Sequence, residues 1–183
     1  MRLYTGLGDD GTTDLLGARV GKNDPRIEAI GALDEATSAI GFARSLATND
    51  RLHEDLIEVQ RDLYRIMAEL AFIPELRPAS YELAHDRVDW LGAETDRLTE
   101  DVDLPREFIL PGESTPGAAL DVARTVARRA ERSAWLAVEA HGDTISVLPA
   151  KYLSRLSDLL FILSQVANPD GDVLWQPGTV ASD

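Results

Sequence analysis

The strongest constraint on this chain is the spacing of its apolar residues beyond position 24, which is helical almost throughout. Leu52, Leu56, Val59, Leu63, Ile66 and Leu70 recur at three- and four-residue steps. They therefore fall on one stripe of an α-helix, and that stripe must be buried against a partner. The segment DPRIEAIGALDEATSAIGFARSLA opens with Asp24, a capping residue, and Pro25, which suits the first helical position. A third helix carries Ala84, Val88, Leu91, Thr95 and Leu98. A fourth runs through STPGAALDVARTVARRAERSAWLAVEAHG, with Thr115 as its cap and Gly142 as its stop. The fifth, AKYLSRLSDLLFILSQVANP, buries Leu153, Leu156, Leu160 and Leu163 and ends at Asn168-Pro169. Five helices with short connections predict an all-α, up-and-down five-helix bundle behind a Gly-rich N-terminal loop. Residues 1–183 read as a single domain, with the loop over 1–24, the bundle over 25–168 and a tail over 169–183.

Composition removes several classes of function. There is no cysteine, which excludes disulfides, thiolate catalysis and Cys-built zinc sites. A formal charge of −14 argues against nucleic acid as a partner, because phosphate backbones need a basic surface. No apolar segment approaches the ~20 residues that cross a membrane, and the N-terminus lacks a charged lead followed by an apolar run. The expectation is a cytoplasmic protein with no membrane partner. Lys22 and Lys151 are the only lysines; a high-salt cytoplasm and an Arg-favouring codon bias both fit that.

In the N-terminal stretch YTGLGDDGTTDLLG, Gly6, Gly8 and Gly11 have the spacing of a dinucleotide-binding turn. That fingerprint works only between a strand and a helix inside a βαβ unit. Only four residues precede Thr5, no helix opens after Gly11, and no series of alternating strands follows. The Rossmann reading is therefore rejected. The glycine amides could still form a nest for a polyphosphate, with hydroxyls from Thr5, Thr12 and Thr13 and a compact charge from Lys22.

The second unusual segment is ARTVARRAER, where Arg124, Arg128 and Arg132 form a stripe with Glu131 one turn from Arg128. Guanidinium groups at this spacing suit phosphate oxygens, and Glu131 could hold the Arg128 guanidinium in place. A solvated face crossed by weak ion pairs fits equally well. His53, His85 and His141 have no metal-binding spacing. Asp34-Glu35 sits beside an apolar helix face, where it could bind Mg²⁺, cap a partner Arg or simply face solvent. The apolar, non-helical FILPG stretch from Phe108 reads as a buried loop or a lid. Ser114 has no evident His partner, so hydrolase chemistry is unsupported. On these residues alone, an enzyme, a nucleotide-binding regulator and a structural helical oligomer all remain open.

Taken in order, YTGLGDDGTTDLLG, KNDPRIEAIGALDE, FILPGES, ARTVARRAER and KYLSRLSDLLFIL resemble the PduO-type ATP:cob(I)alamin adenosyltransferases over nearly the whole chain. The resemblance implies a five-helix bundle that assembles as a homotrimer with sites between subunits. It implies transfer of the 5′-deoxyadenosyl group of ATP to the cobalt of cob(I)alamin, leaving triphosphate, with Mg²⁺ assisting. Thr5, Gly6, Leu7, Gly8, Gly11, Thr13 and Lys22 would hold the triphosphate. Arg128, Arg129, Glu131 and Arg132 would complete the ATP site, with Ser154 at a further ATP-binding position. Arg124 would pair with Asp34 across the interface. Phe108 would lie against the corrin and displace its lower axial ligand. A flavoprotein reductase and an adenosylcobalamin-dependent enzyme are the implied partners.

Three positions depart from the family pattern. Gly6 and Ser154 stand where Lys and Asn are usual, which removes two ATP contacts, and Glu113 stands where Gly is common. A non-catalytic ATP- or cobalamin-binding regulator is the alternative that these departures suggest.

Overall fold

The structure is a computed structural model that describes residues 5–47 and 49–176. Tyr4, at the head of the Gly-rich stretch, and residues 177–183 of the expected tail lie outside the described residues. Five helices carry the fold: α1 (Pro25–Ser45), α2 (Asp50–Ala71), α3 (Asp86–Thr99), α4 (Thr115–His141) and α5 (Leu148–Val166). Asp24 caps α1 as its sequence predicts, its carboxylate accepting the Arg26 N–H at 2.9 Å. The cap of α4 is Ser114 rather than Thr115. The Ser114 hydroxyl reaches the Gly117 N–H at 3.0 Å, which leaves Thr115 as the first helical residue. Helix α3 begins only at Asp86, so Ala84 is exposed and outside it.

Contacts along the helices fix their directions. Gln60 of α2 donates to the Thr37 carbonyl of α1, and Arg44 meets His53, so these two helices are antiparallel. Asp24 faces His141 and Glu35 faces Arg129, so α1 and α4 are antiparallel as well. Ser114 bonds Asn168 just beyond the end of α5, which sets α5 against α4 in the same way. Arg87 and Glu94 of α3 meet Asp62 and Arg51 of α2 in reversed order. The result is an up-and-down bundle, as expected. Small residues on α1 and α4 (Ala29, Ala36, Ala123, Ala127, Ala130) and leucines on α2 and α5 make one contiguous core.

Helix α3 packs on α5, and its seam with α2 is bridged by charged side chains. Asp62 is fully buried and accepts from Arg65 Nη1 at 2.7 Å, Arg87 Nε at 2.8 Å and the Tyr152 hydroxyl at 3.0 Å. Burial, reinforced by the Asp62 carboxylate, pushes the Tyr152 hydroxyl well above its ordinary range, so it remains a donor. The Arg87 guanidinium also lies 4.4 Å from the centre of the Trp90 ring.

Two segments expected as loop or tail carry strands. In the N-terminal region β1 (Thr12–Leu15) pairs antiparallel with β2 (Ala18–Gly21), in register Thr13 to Val20. This hairpin docks through its Leu16-Gly17 turn, where the Leu16 N–H donates to the Ala71 carbonyl at the end of α2. At the other end of the bundle β3 (Ile109–Leu110) pairs with β4 (Val173–Leu174) from the chain's last part. Four-residue and two-residue strands are too short to show an alternating pattern, and β3 and β4 are far apart in sequence. No described helix is long and apolar enough to cross a membrane.

Two measurements test this arrangement. Asp62→Ala leaves the buried Tyr152 hydroxyl and the Arg87 guanidinium without their shared acceptor and should destabilise the fold by about 3–5 kcal/mol, read by chemical denaturation. Asp24 is held at about 2, chiefly by its hydrogen bond from the Arg26 side chain. A depressed carboxylate stabilises the fold above its unfolded pKa, and that contribution disappears as pH falls through the folded value. Asp24→Ala should therefore cost about 1 kcal/mol at neutral pH. The deficit should close as pH falls from about 4 to about 2.

Candidate active site

Two groups of polar residues stand out, and the bundle holds them apart. The first is the loop and hairpin before α1. Its turns are closed by Asp9 N–H to the Gly6 carbonyl, Gly11 N–H to the Gly8 carbonyl and Lys22 N–H to the Gly11 carbonyl, at 2.9–3.2 Å. These bonds bring Lys22 back over the start of the loop. A Cβ built on Gly8 would sit 3.2 Å from Lys22 Nζ, so the ammonium lies against the Gly8 backbone. Thr5, Gly6 and Leu7 are exposed next to it, whereas Thr13 is half-buried in β1. The Thr12 hydroxyl is already committed to Asp10 at 2.6 Å, and that bond holds the Asp10 carboxyl below its usual range.

Gly6 has φ +74°, in the left-handed region. A side-chain-bearing residue there costs roughly 1–2 kcal/mol, so a Lys at this position would strain the turn. Nor does Arg19 replace that charge, because it is occupied by Asp14 at 2.9 Å, Asp10 at 3.6 Å and the Leu7 carbonyl. Lys22 makes no ion pair among the described residues.

The second group lies toward the other end of α4. Arg124 and Arg128 line a cleft of about 380 Å³ together with Phe108, Ser157, Asp158 and Phe161. The expectation that FILPG is a buried loop fails at Phe108, which is 81% exposed. The reason is local: among the described residues β3 pairs only with β4, the Phe108 carbonyl accepts from the Trp175 N–H at 2.7 Å, and the ring projects from this small ribbon. Phe108 also walls an apolar cavity with Ile109, Leu110 and Trp175.

Along α4, Arg128 makes no ion pair among the described residues, and the expected Glu131 clamp on it is absent. Arg128 lines the cleft, and its backbone carbonyl accepts from Arg132 Nη1 at 2.9 Å. Arg129 is paired with Glu35 of α1. Arg124 holds buried Asp121 at 3.1 Å, and within this chain it does not meet Asp34, which is exposed. Burial pushes the Asp121 carboxyl up, against the pull of Arg124. Ser154 lies one turn before Asp158 on α5, half-buried, its carbonyl accepting from the Ser157 hydroxyl at 2.9 Å. Glu113 is exposed between β3 and α4. Asp158, Phe161 and Trp175 are site-lining residues that sequence reasoning missed. The α5 apolar pattern does place Asp158 beside Ser154, whereas Trp175 enters only through the β3–β4 pairing.

The hairpin lies where α4 ends, and the Phe108 cleft runs along the first half of α4 as far as Arg128. Within one chain the Lys22 loop therefore stands apart from the Phe108 cleft. Arg128 stands about 20 Å up the helix from His141, the residue against Asp24.

A family model described as cobalamin adenosyltransferase matches residues 3–167. A corrinoid adenosyltransferase of Mycobacterium tuberculosis is 49% identical over 181 residues, which is 97% of this chain and 94% of the relative. One from Bacillus subtilis is 34% identical over 98% of this chain and 95% of its own length. A variant PduO-type ATP:corrinoid adenosyltransferase from Lactobacillus reuteri, solved in complex with cobalamin and ATP, superimposes with a TM-score of 0.85 at 32% identity. It covers 96% of this chain and 97% of its own. The helical order, the two polar groups and these matches agree: this chain belongs to the cobalamin adenosyltransferase family.

Proposed function

We propose that this chain transfers the 5′-deoxyadenosyl group of ATP to the cobalt of cob(I)alamin and releases triphosphate. The observation that carries the reading is the cleft in which exposed Phe108 stands beside Arg124 and Arg128. It offers an apolar wall for a corrin face next to the Arg128 cation for a polyphosphate. The cobalt(I) lone pair attacks C5′, the C5′–O bond breaks, and its electron pair leaves on the triphosphate oxygen. No proton moves in that step, so it calls for no positioned base. The chain's part is to align the two substrates and to stabilise charge on the leaving group.

Thr5, Gly6, Leu7, Gly8, Gly11, Thr13 and Lys22 hold the triphosphate, with Lys22 as the cation of that loop. Arg128, Arg129, Glu131 and Arg132 complete the ATP site from α4, and Ser154 contributes less than an Asn would. Phe108 lies under the corrin and keeps its lower axial ligand away, which eases reduction of Co(II) to Co(I), since axial ligation tunes a metal's electronics. The separation of hairpin and cleft along α4 supports a site shared between copies. The assembly is a homotrimer, in which Asp34 of one copy takes Arg124 of the next. Among the described residues no three His, Asp or Glu side chains converge to hold a metal. Mg²⁺ is accordingly proposed as a counter-ion carried in on the ATP phosphates, with no step assigned to it. The setting is cytoplasmic, with a flavoprotein reductase upstream and an adenosylcobalamin-dependent enzyme downstream.

The test is incubation with ATP, Mg²⁺ and reduced cobalamin while following the optical spectrum for a light-sensitive adenosylated product. Arg128→Ala should lower kcat about 10²–10³-fold with the helical signal unchanged; near-normal turnover would remove Arg128 from the phosphate site. Phe108→Ala should impair the reaction begun from cob(II)alamin far more than that begun from cob(I)alamin. Equal losses in the two assays would reduce Phe108 to a packing residue.

A further inference from the structure

Beside the Phe108 cleft lies a larger one of about 740 Å³, between the segment that follows α3 and the residues that follow α5. The two clefts share Pro105 and Glu107 in their walls, so a ligand against Phe108 borders both. Five carboxylates line the larger cleft (Asp101, Asp103, Glu107, Asp170 and Asp172), and among the described residues no Lys, Arg or His does. Gln165 lines it too. That side chain is only 7% exposed, and its Nε2 has no hydrogen-bond partner. The neighbouring Asn168 is satisfied, donating to Asp172 at 2.7 Å and accepting from Ser114 at 2.5 Å. A buried amide donor without an acceptor leaves its desolvation uncompensated, which points to an acceptor supplied by a ligand.

These features ask for a ligand whose edge carries N–H donors to meet carboxylates and a carbonyl to meet the Gln165 amide. A primary carboxamide offers both. A carboxylate offers only acceptors and would be repelled by five like charges. Resting on the corrinoid reading above, we propose that this acidic cleft receives the carboxamide side chains at the corrin rim. It thereby selects fully amidated corrinoids over those whose side chains are free carboxylates. The cleft acts as a charge filter on the substrate, separate from the Phe108 face that meets the macrocycle. A site that hydrogen-bonds a substrate's polar group rejects the analogue that leaves its own buried groups unpaired.

The test compares cobinamide, whose rim side chains are amides, with cobyrinic acid, whose side chains are carboxylates. Each is supplied as the reduced corrinoid with ATP and Mg²⁺, and binding of the Co(II) forms is followed in parallel by quenching of tryptophan fluorescence. The amidated substrate should be favoured at least ten-fold in kcat/KM and in affinity at low salt, with the gap narrowing as salt screens the carboxylates. The triple variant Asp101→Asn, Asp103→Asn, Asp170→Asn should shrink the ratio several-fold by admitting cobyrinic acid. Gln165→Leu, which fills the same space without a donor, should weaken cobinamide binding three- to ten-fold. Equal use of the two corrinoids, or a ratio that the triple variant leaves unmoved, would overturn the proposal while leaving adenosyl transfer intact. Failure to bind or turn over either corrinoid would instead overturn the reading on which it rests.

Discussion

The bundle is closed by one buried carboxylate. Helices α1, α4 and α5 pack through alanines and leucines, a geometry that apolar periodicity specifies on its own. The α2–α3 seam is different, because Asp62 on α2 draws in Arg87 from α3 and Tyr152 from α5. A buried charge is costly unless its oxygens are fully engaged, and here both are: Oδ1 by Arg65, Oδ2 by Arg87 and Tyr152. The same seam continues at Glu94, held by Arg51 and Arg97. The Arg97 hydrogen bond, with help from Arg51, keeps the Glu94 carboxyl below its usual range. Glu94 in turn adds to the burial that raises nearby Asp55. These ion pairs fix where α3 ends, and the segment that follows α3 builds the Phe108 ribbon and the acidic cleft.

Much of this was legible in the residues. Three- and four-residue spacing located α2 and α5, and Asp24-Pro25 marked the start of α1. The Arg stripe on α4 was visible as a stripe, yet its partners were not. Helical spacing says which residues share a face, but it does not say that Arg129 will find Glu35 on another helix while Arg128 is left for the cleft. The α4 cap shifted by one residue because Ser and Thr are both competent caps and only the geometry at Gly117 decides between them. For FILPG the residues left a buried loop and a lid open, and the exposure of Phe108 excludes the first. An apolar residue in a non-helical stretch is ordinarily buried, and its exposure depends on β3 pairing with a strand more than sixty positions later in the chain.

The departures from the family pattern read differently once the backbone is known. Gly6 lacks a side chain at a point where the chain turns through a left-handed conformation that suits glycine. The missing positive charge is then part of how this loop is folded, not a deletion from an otherwise equivalent loop. With Arg19 bound to two aspartates, the loop's cationic character rests on Lys22, one of only two lysines in a strongly acidic chain.

The length of α4 has a further consequence for the chain as a member of a population. About 20 Å of α4 separates the Lys22 loop from Arg128 at the near edge of the Phe108 cleft, so on the proposed reading each copy carries two unlike half-sites. In an assembly that joins a half from one copy to a half from its neighbour, a defect belongs to a junction and not to a chain. Copies damaged only in the loop and copies damaged only in the cleft would, when assembled together, place two intact halves at some junctions. On that reading activity in such a mixture would be a property of how copies are neighboured, and two individually silent chains would restore it between them.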